Sequence, residues 1–565
     1  MPSHTVDEIL TRLDQLITAR KNWDNHWQEI SELIWPMAAD FITKREPGIQ
    51  RSDRIFDATG ALALEKFAAV LESLLTPRAQ KWHRLKATDE ELNKDASVKK
   101  WFEEATDILF KLRDRPNANY YAQKHEGYKS LGAFGNDCLF IDEMEPTAEN
   151  PEAGIRYKYC HIGQIYIAVN HHGQVDTIYR KYPMSAKAIH QQWGAAAVPP
   201  KIASALQPTP FKPFELLHLV QPRNERNPDL IDPLNKPFRS VYIGIEDRMI
   251  IDEGGFDELP YMYSRYTINP FEMHGRSPAM LVLPSIRMSQ DIQRTFIRAG
   301  HKVVDPPLLV PDAGRLGTGT QEIRLQPGGI NYGGVDSRGN PMIVPLQTGA
   351  RLDLTEGMLE KERAVINAAF LADVFDEIRD VQRTNPQMTA TEVIVRNERM
   401  GRRLAPMVGR QQTEMLGPQI IREVGIALRN GLLPELPGLL VEAEGKYEIV
   451  YESDATRFQK ASQLQGTDRT LERVVLVGQF DPTAFDIIKG DEVIRLSQEV
   501  EGAPTSILRT KEELKQLRDQ RSQEEALQKG LDVQAQVASA QKDAAQAQAA
   551  APGAAAVSPA VTGGS

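Results

Sequence analysis

"IRYKYCHIGQIYIAVNHHGQVDTIYRKY", residues 155–182, holds three runs in which apolar and polar residues alternate. They are IRYKY (155–159), QIYIAV (164–169) and VDTIYRKY (175–182). Each is rich in β-branched and aromatic side chains, the composition and period of half-buried strands. His171-His172-Gly173 separates two of them and reads as a turn. FELLHLV (214–220), SVYIGIE (240–246) and MIIDE (249–253) repeat the pattern. An antiparallel meander is expected over 154–268, with a helical insert near 185–205. Most of the remaining chain is periodic at helical spacing, so the fold class expected is α+β, mostly helical.

On the N-terminal side, Val6, Ile9, Leu10, Leu13, Leu16 and Ile17 make one apolar helix face. Trp23, Trp27, Ile30 and Ile34 continue it until Pro36. Further helices are expected from Ala61 to Leu75 and from about Ala96 to Leu112, and the meander is expected to pack against the first helices of the chain.

On the C-terminal side, residues 275–303 turn helical, with Met288, Ile292, Phe296 and Ala299 at helical spacing. Arg287, Asp291, Arg294, Arg298 and Lys302 occupy another face. Residues 351–372 form a second helix, with Leu352, Leu359, Ile366 and Phe370 on one face. The first segment is net basic and the stretch 351–380 net acidic. Antiparallel packing of these two helices would bring unlike charges together, within one chain or between neighbouring copies. Exposed pairs of this kind contribute about 0.2–1 kcal/mol each. Between the helices, PPLLVP, QEIRLQ and PMIVPLQ are short strand candidates in a glycine-punctuated insert, 304–350.

Residues 373–388 read as an exposed polar loop, because Pro386 disfavours helix at Asn385. Thr389 and Glu392 have capping-box spacing and open a long helix carrying Arg396, Arg399, Arg402, Arg403 and Arg410. Val393, Asn397, Met400, Leu404 and Val408 form its buried stripe, Pro406 and Pro418 should kink it, and Gly431 should stop it. LLVEAE (439–444) and YEIVYE (447–452) read as a strand pair. Short helices follow, one capped by Asp481-Pro482, then a charged helix that Thr510 and Glu513 begin. From about 531 the chain is Ala, Gln, Gly and Ser; its first part can remain helical, but the last fifteen or so residues cannot bury a core.

The chain has 565 residues and a formal net charge of -10, which argues against coating nucleic acid by bulk charge. At that length several subdomains are expected. Cys138 and Cys160 are the two cysteines, without metal-ligand spacing, and read as small buried hydrophobes. The N-terminus MPSHTVDEIL lacks the pattern of a signal peptide, and no apolar run reaches the length of a membrane span, so a cytosolic life at first is expected. No GxxxxGK[ST], HExxH or GxSxG occurs. GRLGTG (314–319) reads as a turn, the His171-His172 pair as exposed polar residues, and DEME (142–145) as a solvated turn at a strand exit. No catalytic residue, metal or cofactor is expected. The chain reads as architecture and not as an enzyme.

Six blocks carry a family resemblance: LTRLDQLITARKNWDNHWQEISELIWP, IFDATGALALEKFAAVLESLLTP, SLGAFGNDCLF, GRSPAMLVLPSIRMSQDIQR, MTATEVIVRNERMGRRLAPMVGRQQTEMLGPQI and LRNGLLPELP. In this order the chain resembles the portal, or head-to-tail connector, proteins of short-tailed double-stranded DNA phages. The resemblance implies a dodecameric ring around a channel at one capsid vertex. Such a ring packages, retains and ejects double-stranded DNA without sequence specificity. The implied partners are the packaging terminase, tail adaptors, and major capsid and scaffolding proteins, with no membrane. The implied location is the virion, with the host cytoplasm during assembly.

By resemblance, 1–270 is a wing, 271–303 and 351–372 are stem helices, 304–350 is a clip and 373–388 is a tunnel loop. The long kinked helix and remaining wing span 389–453, a crown 454–530 and a partly disordered tail 531–565. The loop residues Arg379, Arg383, Asn385 and Gln387 are the candidates for DNA contact. Arg396, Arg399, Arg403 and Arg410 either line the bore or pair with acids of a neighbouring subunit, the second being preferred. Arg294, Arg298 and Lys302 mark the stem, and Arg315, Gly317 and Gly319 the clip surface that docks adaptor or motor. Two rivals remain. One is a nuclease or packaging ATPase, the other a non-channel capsid assembly scaffold or internal core protein.

Overall fold

The structure, a computed structural model, describes residues 5–144, 154–309, 335–346, 352–373, 405–452, 470–501, 509 and 511–549, apart from 44–45, 47, 54, 231, 336, 342, 443–444, 478–479 and 481–486. The chain divides into two compact units, Met1–Ser462 and Gln463–Ser565.

Helix α1 (Val6–Ile34) begins where Thr5 and Glu8 cap one another: Glu8 N donates to Thr5 Oγ1 (3.4 Å), and Thr5 N to Glu8 Oε2 (3.0 Å). Its Ile9, Leu13 and Leu16 are buried against Tyr166, Tyr179, Leu217, Leu219, Val241 and Ile243. Each aliphatic side chain buried this way stabilises the contact by about 1.5–3 kcal/mol. Further along, Trp27, Ile30 and Ile34 join α2 (Thr59–Leu75) in the largest core. Helices α3 (Ala96–Asp114) and α4 (Tyr120–Phe134) follow.

The expected meander exists, but it belongs to two sheets. Strands β4 (Ile165–Val169), β5 (Val175–Ser185), β6 (Pro213–Pro222), β7 (Phe238–Gly244) and β8 (Met249–Phe256) form a five-stranded antiparallel sheet in sequential order. Helices α5 (Ala186–Trp193) and α6 (Pro200–Ala205) fill the expected insert. His171-His172-Gly173 is the β4–β5 turn, with Gly173 at positive φ and its N–H donating to Asn170 O (2.9 Å). IRYKY, however, is β3 (Gly154–Tyr159), and it pairs with β2 (Asn136–Met144). Strand β9 (Tyr261–Arg265) closes that three-stranded sheet on the other edge of β2. Alternation identifies a strand's exposed and buried faces; it carries no information about which sheet receives it.

LLVEAE is corrected outright: Gly438–Glu442 is helical. Its expected partner is β12 (Tyr447–Tyr451), which pairs instead with β1 (His83–Ala87). The signal for β1 was present in the sequence, since His83, Leu85 and Ala87 are buried and Arg84 and Lys86 are not. The two outward residues form cross-strand ion pairs, Arg84 with Glu452 (2.8 Å) and Lys86 with Glu448 (3.4 Å).

Two long elements leave the first unit's core as a pair. Helix α7 (Pro278–Val304) leads to β10 (Leu308–Leu309), which pairs antiparallel with β11 (Val344–Pro345), and α8 (Leu352–Ala369) returns. The third strand candidate of this insert, QEIRLQ, lies outside the described residues. In the second unit, Gly490–Glu501 and Lys511–Ala549 are helices, and Arg518 pairs with Asp491 (2.8 Å). The Ala/Gln-rich segment is helical as far as Ala549. Asp481-Pro482, Thr510 and the last residues lie outside the described ones.

Candidate functional site: a paired-helix arm and its anchorage

The arm starts at a tight junction. Gly135 ends α4 in the left-handed region (φ 76°), and a Cβ there would meet the carbonyl of Gly275 at 2.5 Å. Gly275 N donates to Asn136 Oδ1 (2.7 Å), and Ser277 Oγ donates to Ala133 O (2.8 Å). Ser277 then caps α7, accepting from Met280 N (3.0 Å), with Pro278 in the first turn. The sequence blocks SLGAFGNDCLF and GRSPAM thus meet in space at the root of the arm.

The expected apolar stripe of α7 needs correction. Met288 is 48% exposed, and Ile292, Phe296 and Ala299 are half-buried. The buried face of the inner half is Ala279, Val282, Leu283 and Ile286, continued by Ser289 and Gln290. Two satisfied polar residues complete it, and a count of apolar residues passes over them.

Gln290 explains why this is stable. Its Oε1 accepts from Phe56 N (2.6 Å) and Asp57 N (2.9 Å), and its Nε2 donates to Asp57 O (2.7 Å). The Asp57 carboxylate is buried and serves the other helix: Arg363 Nε donates to Oδ2 (3.0 Å). Thr59, the first residue of α2, donates to Oδ1 from its N–H (2.8 Å) and its hydroxyl (2.5 Å). Burial alone would raise the Asp57 pKa. The hydrogen bonds from Thr59 and Arg363 outweigh burial and hold the group below the usual carboxylate range. One short segment, 56–59, therefore holds both arm helices. Leu359 and Ile366 of α8 are buried as expected, as is Phe370 just past the helix end, which meets Phe67 of α2 edge-on at 6.1 Å.

Arg287 pairs with Glu29 of α1 (2.5 Å). Arg294 lies over the Phe56 ring at 5.6 Å, and Arg298 and Lys302 are exposed. Arg410 is half-buried on the helical stretch 405–411 and has one guanidinium nitrogen without a hydrogen bond among the described residues. Arg379, Arg383, Asn385, Gln387, Arg396, Arg399, Arg402 and Arg403 lie outside the described residues. So do Arg315, Gly317 and Gly319.

The C-terminal part of the long helix is embedded in the core. Helical residues 405–411 pass into a π-helical turn, Gln412–Leu416, and then into Gly417–Arg429. Pro418 has no N–H for an α-helical bond, and the wider turn lies immediately before it. Gly431, at φ 63°, follows the helix end as expected. Glu423 is fully buried and accepts from Arg113 Nε (3.1 and 3.2 Å), Tyr157 hydroxyl (2.6 Å) and Gln419 Nε2 (2.8 Å). The same arginine donates to His83 Nε2 (2.7 Å). Arg422 donates to Ile141 O (3.0 Å), and Arg429 to Glu258 (2.7 and 3.0 Å). Arg422 and Arg429 thus find their partners inside the chain. DEME departs from a free turn too: Asp142 and Glu143 belong to β2, and Glu143 accepts from Asn430 (2.7 Å).

The sequence matches the family model of the bacteriophage head to tail connecting protein over residues 6–508. The chain belongs to that family. The matched span includes α1, the three-stranded and five-stranded sheets, the arm and the embedded helix. Curated relatives align over nearly all of both chains. A "Probable portal protein" of Bordetella phage BPP-1 is 28% identical over 489 residues, 86% of this chain and 85% of the relative. A "Portal protein" of Salmonella phage epsilon15 is 27% identical over 530 residues, 92% and 91% of the two chains. Among the described residues, no three His, Cys, Asp or Glu side chains cluster as a metal site, and no helix is long and apolar enough to cross a membrane. Cys138 and Cys160 are buried and free.

Proposed function

We propose that the chain is a portal subunit: copies close into a ring at one capsid vertex, and double-stranded DNA passes through its bore. The observation carrying this reading is the connector-family match over residues 6–508, joined by two relatives named as portal proteins that align over at least 85% of each chain. The physical character of the chain agrees. Two buried carboxylates fasten elements together, Glu423 through Arg113 and Asp57 through Arg363. The role is mechanical and not catalytic.

In this reading α7 and α8 are the stem, 304–350 is the clip that docks terminase and tail adaptors, and 373–388 narrows the channel. A duplex must slide without adhering, and each neutralised phosphate strengthens adhesion. The acidic balance of the chain, -10, suits a conduit better than a clamp. Negative-stain microscopy of the purified protein under assembly conditions tests the proposal. A ring with a central hole is expected, and a strictly monomeric protein overturns it. Measurable ATP hydrolysis or DNA cleavage would point to the enzymatic rival instead.

A further inference from the structure

Helices α7 and α8 carry opposite charge at matching heights, yet the chain does not pair those charges with each other. Gln290 and Arg363 both bind Asp57 and so mark one level on the two helices. The β10–β11 pairing joins their outer ends, so they run antiparallel. Counting outward from that level, Arg294 and Arg298 lie about four and eight residues along α7, and Glu360 and Glu356 about three and seven along α8, at equal rise per residue. Among the described residues no ion pair links these groups across the two helices. Glu360 is held by Arg363 on its own helix (3.0 Å), and Arg294 rests on Phe56.

Their angular positions account for this. In the outer half of α7 the half-buried residues are Ile292, Gln293, Phe296, Ala299 and Gly300, which marks the side turned to α8. At 100° per residue, Arg294 and Arg298 lie about half a turn from Phe296, on the far side, and Lys302 about a third of a turn from it. On α8, Glu356 and Glu360 are exposed on the flank beside buried Leu359. The pair thus has a basic edge and an acidic edge. Over its length α7 has four Lys or Arg against one acid, and α8 four acids against two bases.

We propose that the α7 edge bearing Arg294, Arg298 and Lys302 docks on the Glu356–Glu360 flank of α8 in a second copy of the chain. This rests on the portal reading and deepens it, by naming which surfaces close the ring. Two different complementary edges on one subunit make a head-to-tail contact, and such contacts close into rings when the rotation permits. Matching heights are what neighbours related by rotation about an axis along the arm require.

Charge reversal tests the inference on the full-length chain. One variant carries R294E, R298E and K302E; the other carries E356K and E360K. Each alone is expected to need at least tenfold more protein for half-assembly at low salt, because reversal replaces attraction by repulsion. An equimolar mixture should regain rings, since each altered edge then meets a partner of opposite sign. A single chain carrying all five changes should assemble as well. The inference is overturned if both variants assemble like the parent. It is equally overturned if the mixture stays unassembled while both variants are folded by circular dichroism. A basic-edge variant that forms normal rings but loses DNA retention would place that edge against DNA and overturn it too. A parent chain that forms no ring at all removes the portal reading itself, which is a separate result.

Discussion

At the residue scale, the informative groups are the buried polar ones. His218 is enclosed by Tyr261 and Ser240 and stacked on Tyr242 at 4.0 Å; burial, assisted by Arg180, pulls its pKa down to about 3. His274 bonds the Tyr263 hydroxyl between Trp23 and Trp27; burial first, then Arg20 and Arg265, pulls it to about 3. Both are neutral when folded, whereas the unfolded chain protonates them near pH 6.5. Stability is therefore full above about pH 6.5 and falls as pH drops from there towards 3. The loss approaches 1.4 kcal/mol per pH unit for each histidine, on the order of 3 kcal/mol per unit for the pair. His125 has the opposite sign: its bond to Glu72, with burial opposing, raises its pKa, and that contribution fades as pH rises through the raised value. Urea unfolding at pH 7.5 and 5.0 should show a clear loss in acid, and His274→Gln should lessen it, His218 keeping its share; an equal midpoint at both pH values refutes the account. None of these partnerships was legible in the sequence. Apolar stripes announce themselves by spacing, but a buried Gln290 or Glu423 is made acceptable only by groups that the chain brings from far away.

Among elements, locally encoded helices were readable and distant partners were not. Gly431 is a local stop signal that the structure uses as expected, whereas the start signals Thr5-x-x-Glu8 and Ser277-Pro278, equally local, were passed over in the sequence and emerge only in the structure. The anchorage at 56–59 was not foreseen, although Asp57-Ala58-Thr59 is a helix-start signal in its own right. Asp57→Ala removes the bonds to Arg363 and Thr59, and hydrogen bonds to charged groups contribute about 1.5–3 kcal/mol. Arg363 is one-third exposed, so the lower part of that range is expected. Amide exchange should quicken in 359–369 and stay unchanged in 83–87; uniform change across both would deny a local anchor. For the loop 373–388, Arg383→Ala with Asn385→Ala should alter packaging or DNA retention while rings still form. Heads that fill and hold genomes normally would remove the loop from the channel.

For the whole molecule, composition excluded more than it identified, and the order of blocks supplied the family. The class α+β and the strand-rich centre followed from period alone, while the division into two sheets depended on non-local pairing. Deleting 313–320 should leave ring formation intact and abolish binding of the tail adaptor; unchanged adaptor affinity would exclude the clip surface as its dock.

Strand β12 completes β1 across about 360 intervening residues. At 5–20 residues per second, a ribosome needs about 20–70 s to deliver the second strand after the first has emerged. Until then the β1 edge has no native neighbour, and an open strand edge invites foreign pairing. A nascent chain therefore finishes its fold only after the arm has been made, and a prematurely terminated chain lacks the strand that seals it. Chain order thus makes this seam one of the last to close, and a chain cut short before residue 447 leaves it open.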